Sequence, residues 1–392
     1  MAIKDDLTIR DHWRCFLACG LIILSPFQYG IDFGLIGGLQ AMPGFLKVYG
    51  HEASGSAIGW NLSPVRQQLI TSLMSLGAFM SSGTAGFVAI KIGLPRFELT
   101  YGMQGGRVEE GRKALHWLRP DDAKVEVELE EIKDAIARER EMGSNVGIVD
   151  MFKNPIDRRR TFLSIFGVTT QAASGSMFII SYKAYFFTMA RVPNPFAMSC
   201  VFSTVGLLAI VANSLIIVRY GRRRVLLMSG LITCGILQLI IAVVYDQNPG
   251  TTQTGKVMIG LCTIYISSYN AMIAPYAWVS GGELPSQRLR SYTFGAASAV
   301  AFLAAWLVTF TAPYFINVES LNWGPRYGYI WFPSCMVTAI WVYFFLPEVK
   351  GRTLEEIDEM FEAKLGARKF RGYQCVRRVE VEEKPDTKHE EL

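Results

Sequence analysis

The chain has 392 residues, 51% of them hydrophobic and 19% charged, with a formal net charge of +5. Its apolar residues gather in runs far longer than the roughly 10 to 14 of a buried soluble helix, which argues against a soluble globular protein. The positive balance does not point to nucleic acid, because the basic residues stand at the edges of the apolar runs, where membrane topology places them.

Eight stretches are long enough to cross a bilayer, for which roughly 20 mostly apolar residues suffice. The first two run over 15–46 and 60–90. Lys4, Arg10 and Arg14 precede the first, which reads as a retained anchor without a small-residue cleavage site. Between the two, Asn61-Leu62-Ser63 is a glycosylation sequon on the predicted outer loop, weakened by Pro64. A charged segment follows. Within 106–141, Val125, Val127, Leu129, Ile132 and Ile136 give an apolar face at mixed helical spacing, which predicts one or two short amphipathic helices. Six more stretches come at 161–187, 196–218, 225–245, 257–282, 291–316 and 327–347, and from Ala367 onward the tail is charged, poor in apolar residues and read as disordered.

Most of the 39 Lys and Arg alternate to one side, while Lys47, Arg66, Arg191, Lys256 and Arg326 fall on the other. This places both termini and the central segment in the cytoplasm. The seven cysteines show no paired spacing, and His12, His51, His116 and His389 lie far apart outside the spans. Neither a metal site nor a triad is supported, and no cofactor motif or enzymatic constellation is visible. Two ionisable residues do fall inside spans. A carboxylate such as Asp32 costs about 2.5 to 3.5 kcal/mol at mid-membrane on insertion scales, so it should face a cavity or a partner. Lys183 is functional or snorkels to the interface. A faint echo between Val88–Gly93 and Ile216–Gly221, each closing a span, is what a transporter built from repeats would show.

Several motifs then occur in order at span boundaries: Gly30-Ile-Asp-Phe-Gly-Leu-Ile-Gly-Gly38, Gln171-Ala-Ala-Ser-Gly175, Arg219-Tyr-Gly-Arg-Arg223, Pro275-Tyr-Ala-Trp278 with Glu283 and Arg290, and Pro347-Glu-Val-Lys-Gly-Arg-Thr-Leu-Glu-Glu356. With them the chain resembles the sugar porters of the major facilitator superfamily, particularly fungal ones. The resemblance implies an all-α polytopic membrane fold of twelve helices in two halves. Here the third to sixth spans are missing, because Gly93 leads through LPRFELTYGMQG straight into linker-like sequence from Gly106. The expected architecture is therefore a truncated major-facilitator fold with about eight membrane helices. Its expected parts are a partial N-terminal half over 1–93, a cytoplasmic linker over 94–160, a six-helix C-terminal half over 161–350 and a partly disordered cytoplasmic tail over 351–392.

The same resemblance implies roles. Asp32 matches a proton acceptor whose arginine partner belongs to a missing span. Gln171 and Tyr182 match pocket positions, and Trp278 matches the tryptophan beneath bound sugar. An amide donates to and accepts from hydroxyls, and an indole offers a flat apolar face with one donor. The family's further pocket amides fall on Ala172, Met177 and Gly206, which leaves Asn270 as a weaker candidate. The alternative, that Tyr182 and Trp278 simply pack between helices, stays open beside this reading. Arg222, Arg223, Glu283, Arg290 and Glu348 match an inner gate latch, although arginines after a span also follow from topology alone. The implied partners are a sugar or related polyhydroxy metabolite, a proton and the lipid bilayer of the plasma membrane. Export of another metabolite, or a regulatory role without transport, stays open on the same scaffold.

Overall fold

The computed structural model describes residues 13–53, 58–92, 108–118, 125–126, 128–130, 133–134, 147–189, 192, 194–217, 219 and 221–375. The expected junction between Gly93 and Gly106 lies outside them, as do Val127, Ile132 and Ile136. The chain forms two compact units, Met1–Phe33 with Ser81–Gly147 and Gly34–Met80 with Ile148–Leu392.

The first apolar stretch is helix α1 (Trp13–Leu39). It stops short of residue 46 because Met42 is extended before Pro43, whose ring opens the separate short helix α2 (Pro43–Tyr49). A small antiparallel ladder pairs His51–Glu52 with Trp60–Asn61. Helix α3 (Pro64–Ile92) then carries the second stretch. At about 1.5 Å per residue, the 27 and 29 residues of α1 and α3 each reach about 40 Å, more than the roughly 30 Å of a hydrocarbon core, although among the described residues only the shorter Gly30–Leu39 stands out as an apolar helix in this part.

In the first unit, helix α4 (Val108–Leu118) precedes the segment at 125–136 where the apolar face was expected. Leu115, Val125 and Leu129 are buried, while Arg112 pairs with Glu126 (2.6 Å) and Lys133 with Glu130 (2.8 Å) on the wet side. Arg14 at the start of α1 donates to the Trp117 carbonyl at 3.0 Å.

The second unit holds six helical segments long and apolar enough to cross a membrane among the described residues, and they coincide with the six C-terminal stretches. The first is broken into α5 (Asp150–Lys153), α6 (Pro155–Ala173) and α7 (Ser176–Met189). Asn154 caps α6 by accepting from the Ile156 amide at 3.1 Å, and Pro155 occupies the first turn, where its missing N–H costs nothing. Helix α8 (Pro195–Ala212) ends in a π-turn at Asn213–Ile217. Then come α9 (Arg223–Gln247), α10 (Thr252–Met272), α11 (Ala274–Glu283), α12 (Arg290–Ile316) and α13 (Gly328–Phe345). Helix α6 packs on α11 and α12, and α9 on α10 and α13.

The tail differs from expectation. Helix α14 (Leu354–Glu362) opens with a full capping box between Thr353 and Glu356 and buries Ile357, Met360 and Phe361. Beyond it Ala367, Phe370 and Cys375 are buried too. The segment from Ala367 to Cys375 is thus folded rather than disordered. Its few apolar residues suffice because α14 offers them a surface: Phe370 packs edge-on against Phe361 at 5.0 Å, and Cys375 lies against the Glu356 carbonyl.

Candidate functional site

The centre of the second unit is a meeting of two interrupted helices. The α6–α7 break falls at Ser174-Gly175, where Gly175 has φ of +76°, and a Cβ there would lie 2.6 Å from the Trp331 ring. Only glycine meets both conditions. The α10–α11 break falls at Ile273, and Pro275, lacking an N–H, leaves the helical bond to the carbonyl four residues earlier unmade. Gln171, the last polar residue before its own break, bridges the two. Its Nε2 donates to the Ala274 carbonyl at 3.3 Å and its Oε1 accepts from the Tyr269 hydroxyl at 3.2 Å. Non-helical backbone at membrane depth is tolerated only where protein or a cavity satisfies it, and Gln171 meets part of that need.

Around this centre the expected pocket residues take different places. Trp278 on α11 is half-buried, with its ring edge-on to Phe294 (6.0 Å) and tilted against Phe302 (6.3 Å) of α12. Asn270 on α10 reaches α8: its Nδ2 lies 2.7 Å from where a Cβ at Gly206 would be. The Asn270 amide thus occupies the space beside Gly206. Tyr182 on α7 is fully buried, and its hydroxyl donates to the Thr309 carbonyl at 2.7 Å. Asp32 lies on an exposed side of α1 and makes no ion pair among the described residues. Lys183 donates to the Ser203 hydroxyl at 2.7 Å.

At one end of the bundle, charges are gathered. Arg223 at the start of α9 pairs with Glu283 at the end of α11. Glu348 accepts the backbone amides of Arg224 (3.1 Å) and Lys350 (3.2 Å), so it places a carboxylate at the N-terminus of α9 where the helix dipole favours it. Arg222 and Arg290 are exposed. Residues not singled out from sequence tie the same end more tightly. The Arg160 side chain is only 4% exposed and meets Asp358 of α14 at 2.5 Å. It also donates to the Leu284 (2.7 Å) and Pro285 (2.9 Å) carbonyls and lies over the Phe361 ring at 4.7 Å. Arg288 pairs with Asp157. The signal was present in the DRRR run at 157–160 and in the capping pattern at Thr353, but both also follow from topology.

The opposite end is held by amides. Asn317, just past α12, donates to the Leu62 carbonyl (2.9 Å) and the Gln67 Oε1 (2.8 Å), and accepts from Asn61 Nδ2 (2.9 Å). Gln68 donates to the Phe310 carbonyl at 2.8 Å, and His51 meets Glu319 at 2.6 Å. Asn61 is 1% exposed. Its amide nitrogen, the atom a glycan would occupy, donates to Asn317 and Glu319.

Proteins of known kind share this organisation. The high glucose sensor RGT2 of Saccharomyces cerevisiae is 30% identical over 352 residues, covering 86% of this chain and 43% of its own. The maltose permease MAL61 of Saccharomyces cerevisiae is 28% identical over 340 residues, covering 84% and 52%. The major facilitator-type transporter ecdD of Aspergillus rugulosus is 27% identical, covering 86% and 61%. The chain thus spans about half the length of the curated relatives it matches. Among solved structures, the inward open conformation of the xylose transporter XylE from E. coli superposes with a TM-score of 0.52 at 14% identity, covering 86% of this chain and 99% of that one. The proton:xylose symporter XylE bound to 6-bromo-6-deoxy-D-glucose gives 0.51 at 17% identity, covering 76% and 68%. Both likenesses establish a helical membrane transporter fold. The family model for sugar (and other) transporters matches residues 18–97 and 95–361, and the chain is a multi-pass membrane protein belonging to that family.

Proposed function

We propose that this chain binds a sugar or related polyhydroxy solute at the meeting of its two interrupted helices, without coupling that binding to protons. The observation that carries the reading is Gln171, held between Tyr269 and the Ala274 carbonyl with both ends of its amide in exchangeable hydrogen bonds. Such an amide can trade either bond for a sugar hydroxyl at little net cost, because one neutral bond replaces another. Trp278 supplies the apolar face, and Asn270 stands in for the amide absent at Gly206. Charge alternation supports a plasma-membrane orientation with both termini in the cytoplasm.

Coupling is a different matter. Asp32 matches the family's proton acceptor, yet it lies on an exposed side of α1 without an ion pair among the described residues. Without a partner cation to release, its protonation has nothing to switch. The two family matches abut at 95–97, which supports an internal joint where the third to sixth spans would be. Alternating access moves one half against the other about a midplane site, and a chain with two spans opposing six lacks the matching half. Among similar proteins, one is named a sensor rather than a permease, which favours a binding and signalling role as the second reading.

The test is reconstitution of the purified full chain in vesicles under a proton gradient, with equilibrium sugar binding measured in parallel. Saturable binding is expected to weaken roughly tenfold in Gln171→Ala, the loss of about one neutral hydrogen bond, with no accumulation above equilibrium. Accumulation abolished by Asp32→Asn would overturn the uncoupled reading, and binding indifferent to Gln171→Ala and Trp278→Ala would overturn the pocket.

A further inference from the structure

At the charged end of the second unit, Arg160 is matched by Asp358, Arg223 by Glu283, Arg288 by Asp157 and Arg352 by Glu356. Two further arginines are brought together without a carboxylate. Arg224 in the first turn of α9 and Arg368 in the folded tail both stack on Tyr343 near the end of α13, their guanidinium carbons 5.6 and 4.3 Å from its ring centroid. Arg368 also lies 5.3 Å from the Phe344 ring. Neither arginine makes an ion pair among the described residues. Glu348, beside the start of α9, spends its two oxygens on the backbone amides of Arg224 and Lys350. Two like charges converging on one ring repel each other, and an anion held between them removes that cost.

The ring stands where a lipid headgroup would lie. Helix α13 is apolar to its end at Tyr343-Phe344-Phe345, and all three of these side chains are exposed. Exposed aromatics closing a span mark the interface between membrane and water, which puts the two guanidiniums at headgroup level. Val337 and Ile340 are exposed on the same face as Phe344, at helical spacing, so an apolar strip leads from the arginines into the membrane. The Arg224 Nη2 donates to the Tyr343 carbonyl, one of those a helix end leaves open, so this guanidinium is held in place with other N–H donors to spare. Arg368 is exposed. Guanidiniums recognise phosphate by charge-assisted, often bidentate hydrogen bonds. A soluble anion would use the arginines alone, whereas a phospholipid uses the strip as well.

We propose that Arg224 and Arg368 bind the phosphate headgroup of an anionic phospholipid whose acyl chain lies along Val337, Ile340 and Phe344. The headgroup joins the tail to the start of α9, so docking of the tail depends on membrane composition. Phosphatidylcholine is disfavoured, because its choline brings a third positive charge to the pair. The site shares no residue with the Gln171 pocket and stands independently of the proposed function.

The experiment uses the full chain in neutral detergent with phosphatidylserine, phosphatidylcholine and inorganic phosphate as probes, and reads lipid binding by native mass spectrometry alongside thermal unfolding. The variants are Arg368→Gln alone and Arg224→Gln with Arg368→Gln. Lys369→Gln with Arg371→Gln is the control, since both residues are exposed in the same tail and the charge lost is equal. Phosphatidylserine is expected to bind roughly tenfold tighter than phosphatidylcholine and to raise the unfolding temperature. That preference should fall roughly fivefold in Arg368→Gln, the share of one basic residue, and vanish in the double variant while the control keeps it. Because Arg368 is exposed, its single variant reads the site without disturbing the fold. The proposal is overturned if the control loses the preference as fully as the double variant, since general positive charge then suffices. It is equally overturned if inorganic phosphate raises the unfolding temperature as far as phosphatidylserine does, or if the unaltered chain binds the two lipids alike.

Discussion

The two ends of the second unit close by opposite chemistries. At the charged end, Arg160, Arg223 and Arg288 meet Asp358, Glu283 and Asp157, and every partner lies on a different element. At the amide end, Asn61, Gln67 and Asn317 exchange neutral hydrogen bonds. Helix α12 runs from one to the other, with Arg290 at its start and Asn317 just past its end. A buried charge left without its partner costs several kcal/mol, whereas a neutral bond nets only about 1 kcal/mol and can be exchanged for water or a sugar hydroxyl. The difference teaches that losing one partner is the costlier change at the charged end and the cheaper one at the amide end.

The largest effect expected is at Arg160. Arg160→Ala removes an ion pair and the donor to two carbonyls and leaves Asp358, whose side chain is 29% exposed, without this partner, so a loss of about 3 kcal/mol in denaturant unfolding is expected, the low end for a buried pair. A loss under about 1 kcal/mol would place the charged end on the footing of an ordinary surface pair. Next comes Asn317→Ala, which strands the Leu62 carbonyl, Gln67 and Asn61. About 2 to 3 kcal/mol is expected, since each stranded buried group costs about 1 to 3 kcal/mol and some will rehydrate at this end.

The half-buried pair Arg223–Glu283 should be weaker. A double-mutant cycle with Arg223→Ala and Glu283→Ala is expected to return about 1 kcal/mol of coupling, falling as salt is raised. If instead the coupling exceeds that of Arg160 with Asp358, the strongest tie at this end lies between α9 and α11 rather than under α14. The smallest effect is at His51 with Glu319, both substantially exposed. Glu319→Gln should cost no more than about 0.2 to 1 kcal/mol by thermal unfolding, because an exposed pair is screened. A larger cost would show that the amide end also depends on charge.

The apolar runs, which need no partner to be recognised, fixed the six C-terminal spans and the long N-terminal helices from sequence, because about 20 apolar residues have one stable environment. The motif at Gln171 and the charges at Arg223 and Glu283 stood out for the same reason: each is a local pattern that can be noticed without knowing its partner. What tertiary structure decided was pairing. That Asn270 fills the space beside Gly206, that Arg160 reaches Asp358 across nearly two hundred residues, and that Asn61 is buried against Asn317 all depend on which helix faces are turned together. The tail from Ala367 to Cys375 makes the same point, since its charge suggested disorder until α14 offered a surface for Phe370 and Cys375. Hydrophobic length is a property of one segment and can be read along the chain, whereas hydrogen-bond satisfaction is a property of two and exists only once the chain has folded.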